Sequence, residues 1–295
     1  MITTEHPFDQ AGPIATAFSN PFSCPRKGLG KRYVYAVISP RAKGLSVGVN
    51  LNPSKHCNFD CIYCEVDRSD AGLIDEPVDL SVLTSELEMT LKHVLGGEVW
   101  MAFPRVPAGL LQLRHVALSG DGEPTLCPNF GEAVEAVIHL RASARVPDFK
   151  IVVITNATCL DRSQVAYGIR LLTRHDEVWA KLDGGTQAYI DNINRAEFPL
   201  RKVLENIHEL GRQRPVIIQT MVPAIDGENP FRSELAEYAA RLRELKDAGT
   251  QISLVQIYSA NRPTPSSECS HLSLKALSEI AKAVRAATGL RTEVF

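Results

Sequence analysis

The sequence has neither a large excess of one charge nor a long apolar run. Its 295 residues contain 32 Lys and Arg against 34 Asp and Glu, which gives a net charge of −2. This balance provides no general attraction to nucleic acid or membrane surfaces, although a local basic patch could hold RNA. No apolar stretch approaches the roughly 20 residues that span a bilayer, and the N-terminus lacks the pattern of a secretory signal. We therefore expect a soluble, cytoplasmic protein with no membrane partner.

Internal repeats, low-complexity segments and long linkers are also missing. With 44% hydrophobic residues, the chain can bury a large core, and one catalytic domain is the simplest organisation. Residues 1–40 are predicted to be an irregular N-terminal extension and residues 41–295 the core domain. Within the core, residues 103–114 are predicted to form a loop or insertion.

Short apolar or β-branched runs alternate with helical patterns along the core. The predicted strands are residues 45–51, 115–119, 150–155, 177–182, 216–222 and 252–258. The predicted helices include residues 80–95, 130–142, 162–174 and 231–245. Such alternation implies a parallel sheet, either a partial or complete barrel or an open doubly wound sheet. A barrel would gather its active groups at the carboxyl ends of the strands.

Three of the seven cysteines lie within eight residues, at Cys57, Cys61 and Cys64. In a reducing compartment, cysteines are more often thiols or metal ligands than disulfides. A structural zinc site needs a second pair of ligands, but the other cysteines are scattered singly at Cys24, Cys127, Cys159 and Cys269. Three thiolates could instead bind three irons of a four-iron cluster and leave the fourth iron open for a reactive ligand.

Polar residues follow the predicted strands. Gly120, Asp121, Gly122 and Glu123 form a glycine-rich turn after the second strand, where the backbone could approach a ligand closely. The other candidates at strand ends or inside strands are Thr155, Asn156, Asp183, Gln219 and Gln256. Each of them could contact a ligand or make a structural hydrogen bond.

The segment Cys57-x3-Cys61-x2-Cys64, with Tyr63 before the last cysteine, resembles the cluster motif of the radical SAM superfamily. The resemblance implies a partial (βα)6 barrel of parallel strands and a [4Fe–4S] cluster on the three cysteines. This cluster would donate one electron to S-adenosyl-L-methionine (SAM), giving methionine and a 5′-deoxyadenosyl radical that abstracts hydrogen from a substrate. A one-electron donor such as a flavodoxin or ferredoxin is implied as a partner.

The resemblance also suggests SAM contacts. The turn from Gly120 to Glu123 resembles a Gly-Gly-Glu-type element that binds the SAM amino group, with Asp121 in place of the second glycine. Tyr63 would lie against the adenine, and Asp183 would accept hydrogen bonds from the ribose. The residues that match the superfamily only by their strand positions are Thr155, Asn156 and Gln219.

Longer stretches, from "ISPRAKGLSVGVNLNPSKHCNFDCIYC" to "VQIYSANRPTP", resemble radical SAM proteins related to the wyosine-base synthases of tRNA. Those synthases hold a second cluster with three further N-terminal cysteines, whereas only Cys24 precedes the triplet here. The sequence therefore predicts radical SAM chemistry on an unidentified small-molecule or RNA substrate. The alternatives are wyosine-like tRNA base modification and a non-catalytic iron–sulfur protein for electron transfer or redox sensing.

Overall fold

The structure, a computed structural model, describes residues 30–295 apart from positions 73, 75, 261 and 263, with the backbone alone at 99 and 100. Most of the predicted N-terminal extension, including Cys24, lies outside the described residues. The described chain is built on a mostly parallel sheet that curls into a half-barrel. Its strands are β1 (Val34–Ser39), β2 (Gly44–Val49), β3 (Leu113–Leu118), β4 (Ile151–Thr155), β5 (Glu177–Lys181), β6 (Val216–Met221), β7 (Ala224–Ile225), β8 (Ile252–Tyr258), β9 (Cys269–Ser270) and β10 (Thr292–Val294).

The order of strands in the main sheet is β1-β2-β3-β4-β5-β6-β8-β10. β1 pairs antiparallel with β2, and the other neighbours are parallel. The two-residue strands β7 and β9 form a separate antiparallel pair. Because the parallel strands all point the same way, the loops that follow them meet at one end of the half-barrel.

Helices provide the crossovers and cover the convex side of the sheet. They are α1 (Leu80–Leu95), α2 (Phe130–Ala142), α3 (Ser163–Leu171), α4 (Gln187–Ile193), α5 (Leu200–Gln213), α6 (Phe231–Asp247) and α7 (Leu274–Thr288). Short 3-10 turns lie at Glu98–Ala102, Ala108–Leu110 and Pro124–Leu126.

The main hydrophobic core lies between these helices and the sheet. α5 shows why its sequence packs there, since Val203, Ile207 and Leu210 recur at intervals of three or four residues and are buried. A second, small apolar cluster of Val152, Trp179 and Ile217 is separate from this core and lies on the concave side of the sheet. That concave side is the lumen of the half-barrel.

The six predicted strands are confirmed as β2 to β6 and β8, and the parallel half-barrel agrees with the expected partial (βα)6 barrel. Two strands of the sheet were not predicted. β1 falls within residues 1–40, which were expected to be irregular, and β10 has only three residues. The predicted loop at 103–114 also ends earlier than expected, because β3 begins at Leu113.

None of the helices in the described part of the chain is long and apolar enough to cross a bilayer.

Candidate active site

The three clustered cysteines lie in the long loop between β2 and α1. This loop is fixed to the end of α4, where the carbonyls of Ile193 and Asn194 accept hydrogen bonds from the amides of Ile62 (3.0 Å) and Asp60 (3.0 Å). Cys57, Cys61 and Cys64 are all half-buried. They line one cavity of about 260 Å³ at the carboxyl ends of the strands. The structure therefore brings the predicted thiols together on one surface.

Two of the thiols accept hydrogen bonds from side chains. Asn194 Nδ2 donates to Cys61 Sγ at 3.2 Å, and Arg68 Nη2 donates to Cys64 Sγ at 3.4 Å. Burial, together with the Glu123 carboxylate, raises the pKa of Cys57 to about 12, and burial raises the pKa of Cys61. The thiolate form therefore needs additional positive charge, which a bound metal centre supplies.

The donor set fits an iron–sulfur cluster better than a single ion. In the described part of the chain, no three His, Cys, Asp or Glu side chains converge as one metal ion would require. In a four-iron cluster each cysteine binds a different iron, so the three sulfurs need only surround a shared space. The three thiols on the wall of one cavity satisfy that condition.

The turn after β3 approaches the cysteine loop so closely that it needs glycine at two positions. A Cβ atom at Gly122 would lie 1.9 Å from the carbonyl oxygen of His56, and one at Gly120 would lie 2.1 Å from Asn50 Oδ1. Both glycines line the cavity. The carboxylate of Asp121 instead accepts a hydrogen bond from Asn50 Nδ2 at 2.7 Å. Asp121 thus helps to join the turn to the segment after β2.

Glu123 is a buried carboxylate on the cavity wall, with 3% of its surface exposed. Its Oε1 accepts from the Thr125 amide (3.1 Å) and from the hydroxyls of Thr125 and Thr155 (2.6 Å each). Its Oε2 accepts from the Asn156 amide at 2.7 Å. Burial raises the pKa of Glu123, although these hydrogen bonds oppose the shift. A cation placed beside Oε2 would favour the ionised form.

Asn156 connects the end of β4 to the cysteine loop. Its Nδ2 donates to Asn58 Oδ1 at 2.7 Å, and Asn58 Nδ2 donates to the Thr158 hydroxyl at 2.8 Å. Because Asn58 follows Cys57 directly, these bonds orient the loop that carries the thiols. Thr155 and Asn156 both line the cavity as well.

Asp183, at the end of β5, lies behind the cavity wall. Its Oδ1 accepts from the Met221 amide at 2.8 Å. Its Oδ2 accepts from the Tyr63 hydroxyl, from Asn194 Nδ2 at 2.8 Å, and pairs with Lys181 Nζ at 3.5 Å. Burial and the nearby carboxylate raise the pKa of Tyr63, so its hydroxyl keeps the proton that it donates. A direct contact between Asp183 and a ligand would require some of these partners to move.

Gln219 and Gln256 face each other across neighbouring strands in the lumen. Gln219 Nε2 donates to Gln256 Oε1 at 2.9 Å, and both residues are buried. This pair provides the structural hydrogen bond that was one of the two expected explanations. Gln219 also lines the cavity that contains the cysteines, so its predicted ligand contact stays a prediction.

Comparison with known proteins agrees with this geometry. Residues 51–239 match the profile described as the radical SAM superfamily, and the match spans the cysteine loop and the strand ends described above. The chain belongs to the radical SAM superfamily.

Related sequences and solved structures extend the comparison. The chain is 27% identical over 194 residues to a UPF0026 protein of Synechocystis, covering 64% of each chain. It is 22% identical over 225 residues to a UPF0026 protein of Helicobacter pylori, covering 75% of this chain and 66% of that one. The chain thus spans just under two thirds of the length of these relatives.

Several solved structures share the fold at low sequence identity. A radical SAM methyltransferase from Sphaerobacter thermophilus superposes with a TM-score of 0.62 at 16% identity, covering 89% of this chain and 68% of that chain. A structure of TYW1 with a lysine–pyruvate adduct bound superposes with a TM-score of 0.54 at 15% identity, covering 86% of this chain and 84% of that chain. SuiB of Streptococcus suis bound to S-adenosylmethionine gives 0.57 at 13% identity, with 86% and 52% covered.

Several residues of this radical SAM site were not singled out from the sequence. Lys181 lies on the cavity wall, 3.3 Å from the Tyr258 hydroxyl and 4.8 Å from the centre of the Tyr63 ring. Burial opposes its charge, but Asp183 and its other neighbours raise the pKa of Lys181 overall. Asn194 and Arg68, the donors to the thiols, were also missed. Position was the only sequence signal for Lys181, which precedes Asp183 by two residues, and for Arg68, which follows Cys64 by four.

The remaining candidates lie away from the thiols. Cys127 is buried and lies 3.3 Å from Asn129 Oδ1, and Cys159 is buried. Cys269 is half-buried in β9. Lys55, two residues before Cys57 in the sequence, forms an ion pair with Asp70. None of these four residues lines the cavity that contains the cysteine triplet.

Proposed function

We propose that Cys57, Cys61 and Cys64 hold a [4Fe–4S] cluster and that the enzyme uses it to cleave SAM and abstract hydrogen from an organic substrate. The observation that carries this proposal is the position of three half-buried thiols and the buried Glu123 carboxylate on the wall of one cavity. When bound, the cluster supplies the one electron that converts SAM to methionine and a 5′-deoxyadenosyl radical. An external one-electron donor, such as a flavodoxin or ferredoxin, would reduce it.

The chain's own residues provide position and charge for this chemistry. Asn194 and Arg68 donate hydrogen bonds to the sulfurs of Cys61 and Cys64, which holds both side chains toward the cavity. Glu123 Oε2 accepts one hydrogen bond and retains capacity for a second donor. We assign that capacity to the ammonium group of SAM, in keeping with the Gly-Gly-Glu-like turn.

Tyr63 and the half-barrel complete the site. The Tyr63 ring lines the cavity while its hydroxyl is held by Asp183, so the ring has a fixed orientation for packing against the adenine. Asp183 would then act through Tyr63 and Asn194. The curled sheet forms one wall of the lumen, and a reactive radical requires a site separated from solvent.

Reconstitution under anaerobic conditions tests the proposal. The protein should bind about four irons per chain, give a reduced-cluster EPR signal that changes when SAM is added, and release 5′-deoxyadenosine in the presence of a reductant. Replacing Cys57, Cys61 or Cys64 with alanine should abolish iron binding, whereas Cys159→Ala provides a matched control that should retain it. Normal iron loading without any effect of SAM would instead indicate an electron-transfer or redox-sensing protein.

The identity of the substrate is a separate question from the cleavage of SAM. Tests for tRNA modification would look for tRNA binding that weakens as salt rises. The net charge of −2 gives that alternative no additional support.

A further inference from the structure

Two cavities in the lumen of the half-barrel meet at three residues. The cysteine cavity occupies about 260 Å³. A second cavity of about 440 Å³ lies at the amino ends of the strands. Both are lined by Arg41, His115 and Trp179, which we call the junction. On one side the junction lines the cavity that contains the thiols, so a molecule bound to the junction from that side would share the cavity with them.

His115 is a buried polar side chain at this junction. It is 2% exposed, and its ring stands edge-on to the Trp179 ring with centres 5.4 Å apart. Within the described residues, its ring nitrogens make no hydrogen bond. Burial, with the nearby charges of Lys150 and Arg41, lowers the pKa of His115 to about 3. The neutral imidazole thus has one N–H donor and one acceptor available for a ligand or water.

Arg41 supplies positive charge to the same place. It lies in the turn between β1 and β2, and its guanidinium carbon is 4.1 Å from the centre of the Tyr258 ring. Its Nε is buried and has no hydrogen-bond partner in the part of the chain that the structure describes. Among the described residues, no carboxylate pairs with Arg41, although Lys150, Lys181 and Arg291 nearby are paired with Glu177, Asp183 and Glu293.

The charges around the second cavity also favour the binding of anions. Its lining includes the basic residues Lys43, Arg114, Lys150 and Arg291 and the acidic residues Glu177 and Glu293. With Arg41, five basic side chains face two carboxylates, and such an excess attracts anionic molecules toward the lumen.

We propose that the junction binds an oxyanion group of the substrate, a carboxylate or a phosphate, through Arg41 and His115. Stacking on Tyr258 restricts the guanidinium, whose planar donors match an oxyanion in two-point contact, and His115 adds one N–H donor. The rest of the substrate would extend toward Cys57, Cys61 and Cys64. The assignment of this ligand as the substrate rests on the proposed function, whereas the existence of an oxyanion site does not.

Trp179 offers a direct readout because it lines the junction. In full-length protein carrying Trp100→Phe, Trp179 is the remaining one of the two tryptophans. Its fluorescence would be measured while inorganic phosphate or succinate is added at constant ionic strength set by chloride. We expect a saturable change with at least one of them, and the arm that saturates distinguishes a phosphate from a carboxylate. The titration is repeated on protein with a reconstituted cluster.

Variants test the two residues, Arg41 and His115, that are proposed to bind the anion. Arg41→Gln should lower the affinity for the anion at least tenfold, and His115→Asn should lower that affinity several-fold. The matched control is Arg32→Gln, because Arg32 is exposed and its guanidinium also lies over a tyrosine ring, 5.2 Å from the centre of Tyr33. This control should keep the affinity of the parent protein. Circular dichroism would confirm folding, and if Arg41→Gln fails to fold, Arg41→Lys and His115→Asn decide the question.

Four outcomes would overturn the inference: no saturable change with either anion, an unchanged affinity in the folded Arg41 and His115 variants, an equal loss in Arg32→Gln, or displacement of the anion by S-adenosylhomocysteine or methionine. The last would assign the junction to the cosubstrate. Because the titration requires neither cluster nor SAM, its failure leaves SAM cleavage testable. A failure of SAM cleavage likewise leaves the oxyanion site intact.

Discussion

At the scale of single residues, Asn194 links Cys61, a proposed cluster ligand, to the end of β5. Its Nδ2 lies 3.2 Å from Cys61 Sγ, 2.9 Å from the Tyr63 hydroxyl and 2.8 Å from Asp183 Oδ2. Hydrogen bonds to the sulfurs of an iron–sulfur cluster help to set its reduction potential. Asn194 is therefore a positioning residue whose effect should be visible in the redox behaviour of the cluster.

Asn194→Ala should shift the midpoint potential of the reconstituted cluster to a more negative value. The N–H···S bond stabilises the reduced cluster, which carries the extra negative charge, and the variant loses that bond. The measurement is a redox titration followed by EPR. Asn229→Ala, which removes an amide that contacts the Phe231 backbone away from the cavity, serves as the control. An unchanged potential in Asn194→Ala with full iron content would contradict the assignment.

Gly122→Ala should destabilise the protein by about 1–3 kcal/mol, the usual cost of overpacking. The added Cβ would meet the carbonyl oxygen of His56 at 1.9 Å, and backbone atoms on both sides would have to move. Chemical denaturation gives the free energy of unfolding. Gly109→Ala is the matched control, since a Cβ there meets no atom within 4 Å. If Gly122→Ala were as stable as Gly109→Ala, the turn would accommodate a Cβ atom at position 122, and the close contact with His56 would not explain the glycine.

Local chemistry explains which site residues the sequence predicts. The spacing of Cys57, Cys61 and Cys64 and the glycines around Asp121 are features of a few adjacent residues. Asn194 acts on Cys61 from 133 positions away, and its role depends on how α4 packs beside the cysteine loop. Arg41 and His115 are also far apart in the sequence (115 − 41 = 74 positions), so their proximity could be recognised only in the folded chain.

At the scale of elements, Asp176 ties α2 to the beginnings of β4 and β5. Arg141 Nη1 and Nη2 donate to its two carboxylate oxygens at 2.7 and 3.1 Å, and the Ile151 amide donates at 2.8 Å. Desolvation raises the pKa of Asp176, but hydrogen bonds from Arg141, Ile151 and Thr173 outweigh it and lower the pKa below its ordinary value. The ionised carboxylate therefore stabilises the folded state.

Asp176→Asn should lower the free energy of unfolding at pH 7 by about 1–3 kcal/mol, since buried donors lose their acceptor. A lowered folded-state pKa contributes stability that is present above the unfolded pKa of about 3.9 and is lost as pH falls through the folded value. The difference in the free energy of unfolding between Asp176→Asn and the parent protein should therefore become smaller below about pH 4. Urea unfolding at pH 7 and pH 3 measures it.

The control is Asp161→Asn, which breaks an exposed ion pair with Lys202 and should leave the free energy of unfolding almost unchanged. If the free energy of unfolding of Asp176→Asn differs from that of the parent by the same amount at pH 7 and pH 3, the charge of the Asp176 carboxylate does not stabilise the fold.

At the scale of the whole molecule, the two edges of the half-barrel approach each other. Arg262, after β8, donates from Nη1 to Glu65 Oε2 at 2.8 Å and from Nη2 to the Ile38 carbonyl in β1 at 3.4 Å. Lys43 and Glu293 also pair across the gap at 3.7 Å, at a more exposed position. Since Glu65 follows Cys64 directly, the contact made by Arg262 connects closure of the half-barrel to the cysteine loop.

Arg262→Met should accelerate amide hydrogen exchange in residues 55–68, because the loop loses its partly buried ion pair with the opposite edge. Lys43→Met removes the more exposed pair that joins the same edges and should leave exchange in that loop unchanged. Exchange followed by mass spectrometry of peptides compares the two. Equal protection in Arg262→Met and the parent protein would show that the loop is held without this contact.

The repeating pattern of strands and helices made the parallel half-barrel predictable, because each crossover helix buries an apolar face that shows in the sequence. β1 and β10 were harder to detect. β10 has only three residues, and β1 alternates buried and half-buried positions in a segment without a crossover helix. Both lie at the edges of the sheet, where pairing depends on how the rest of the molecule curls.

The contact between Arg262 and Glu65 also has a consequence for biosynthesis. The two residues are 197 positions apart, so the thiols leave the ribosome long before the segment that closes over them is made. Until then, the cysteines belong to an unfinished chain that exposes them to oxidants and stray metal ions. Assembly of the proposed iron–sulfur cluster is therefore expected after the segment that carries Arg262 has been translated.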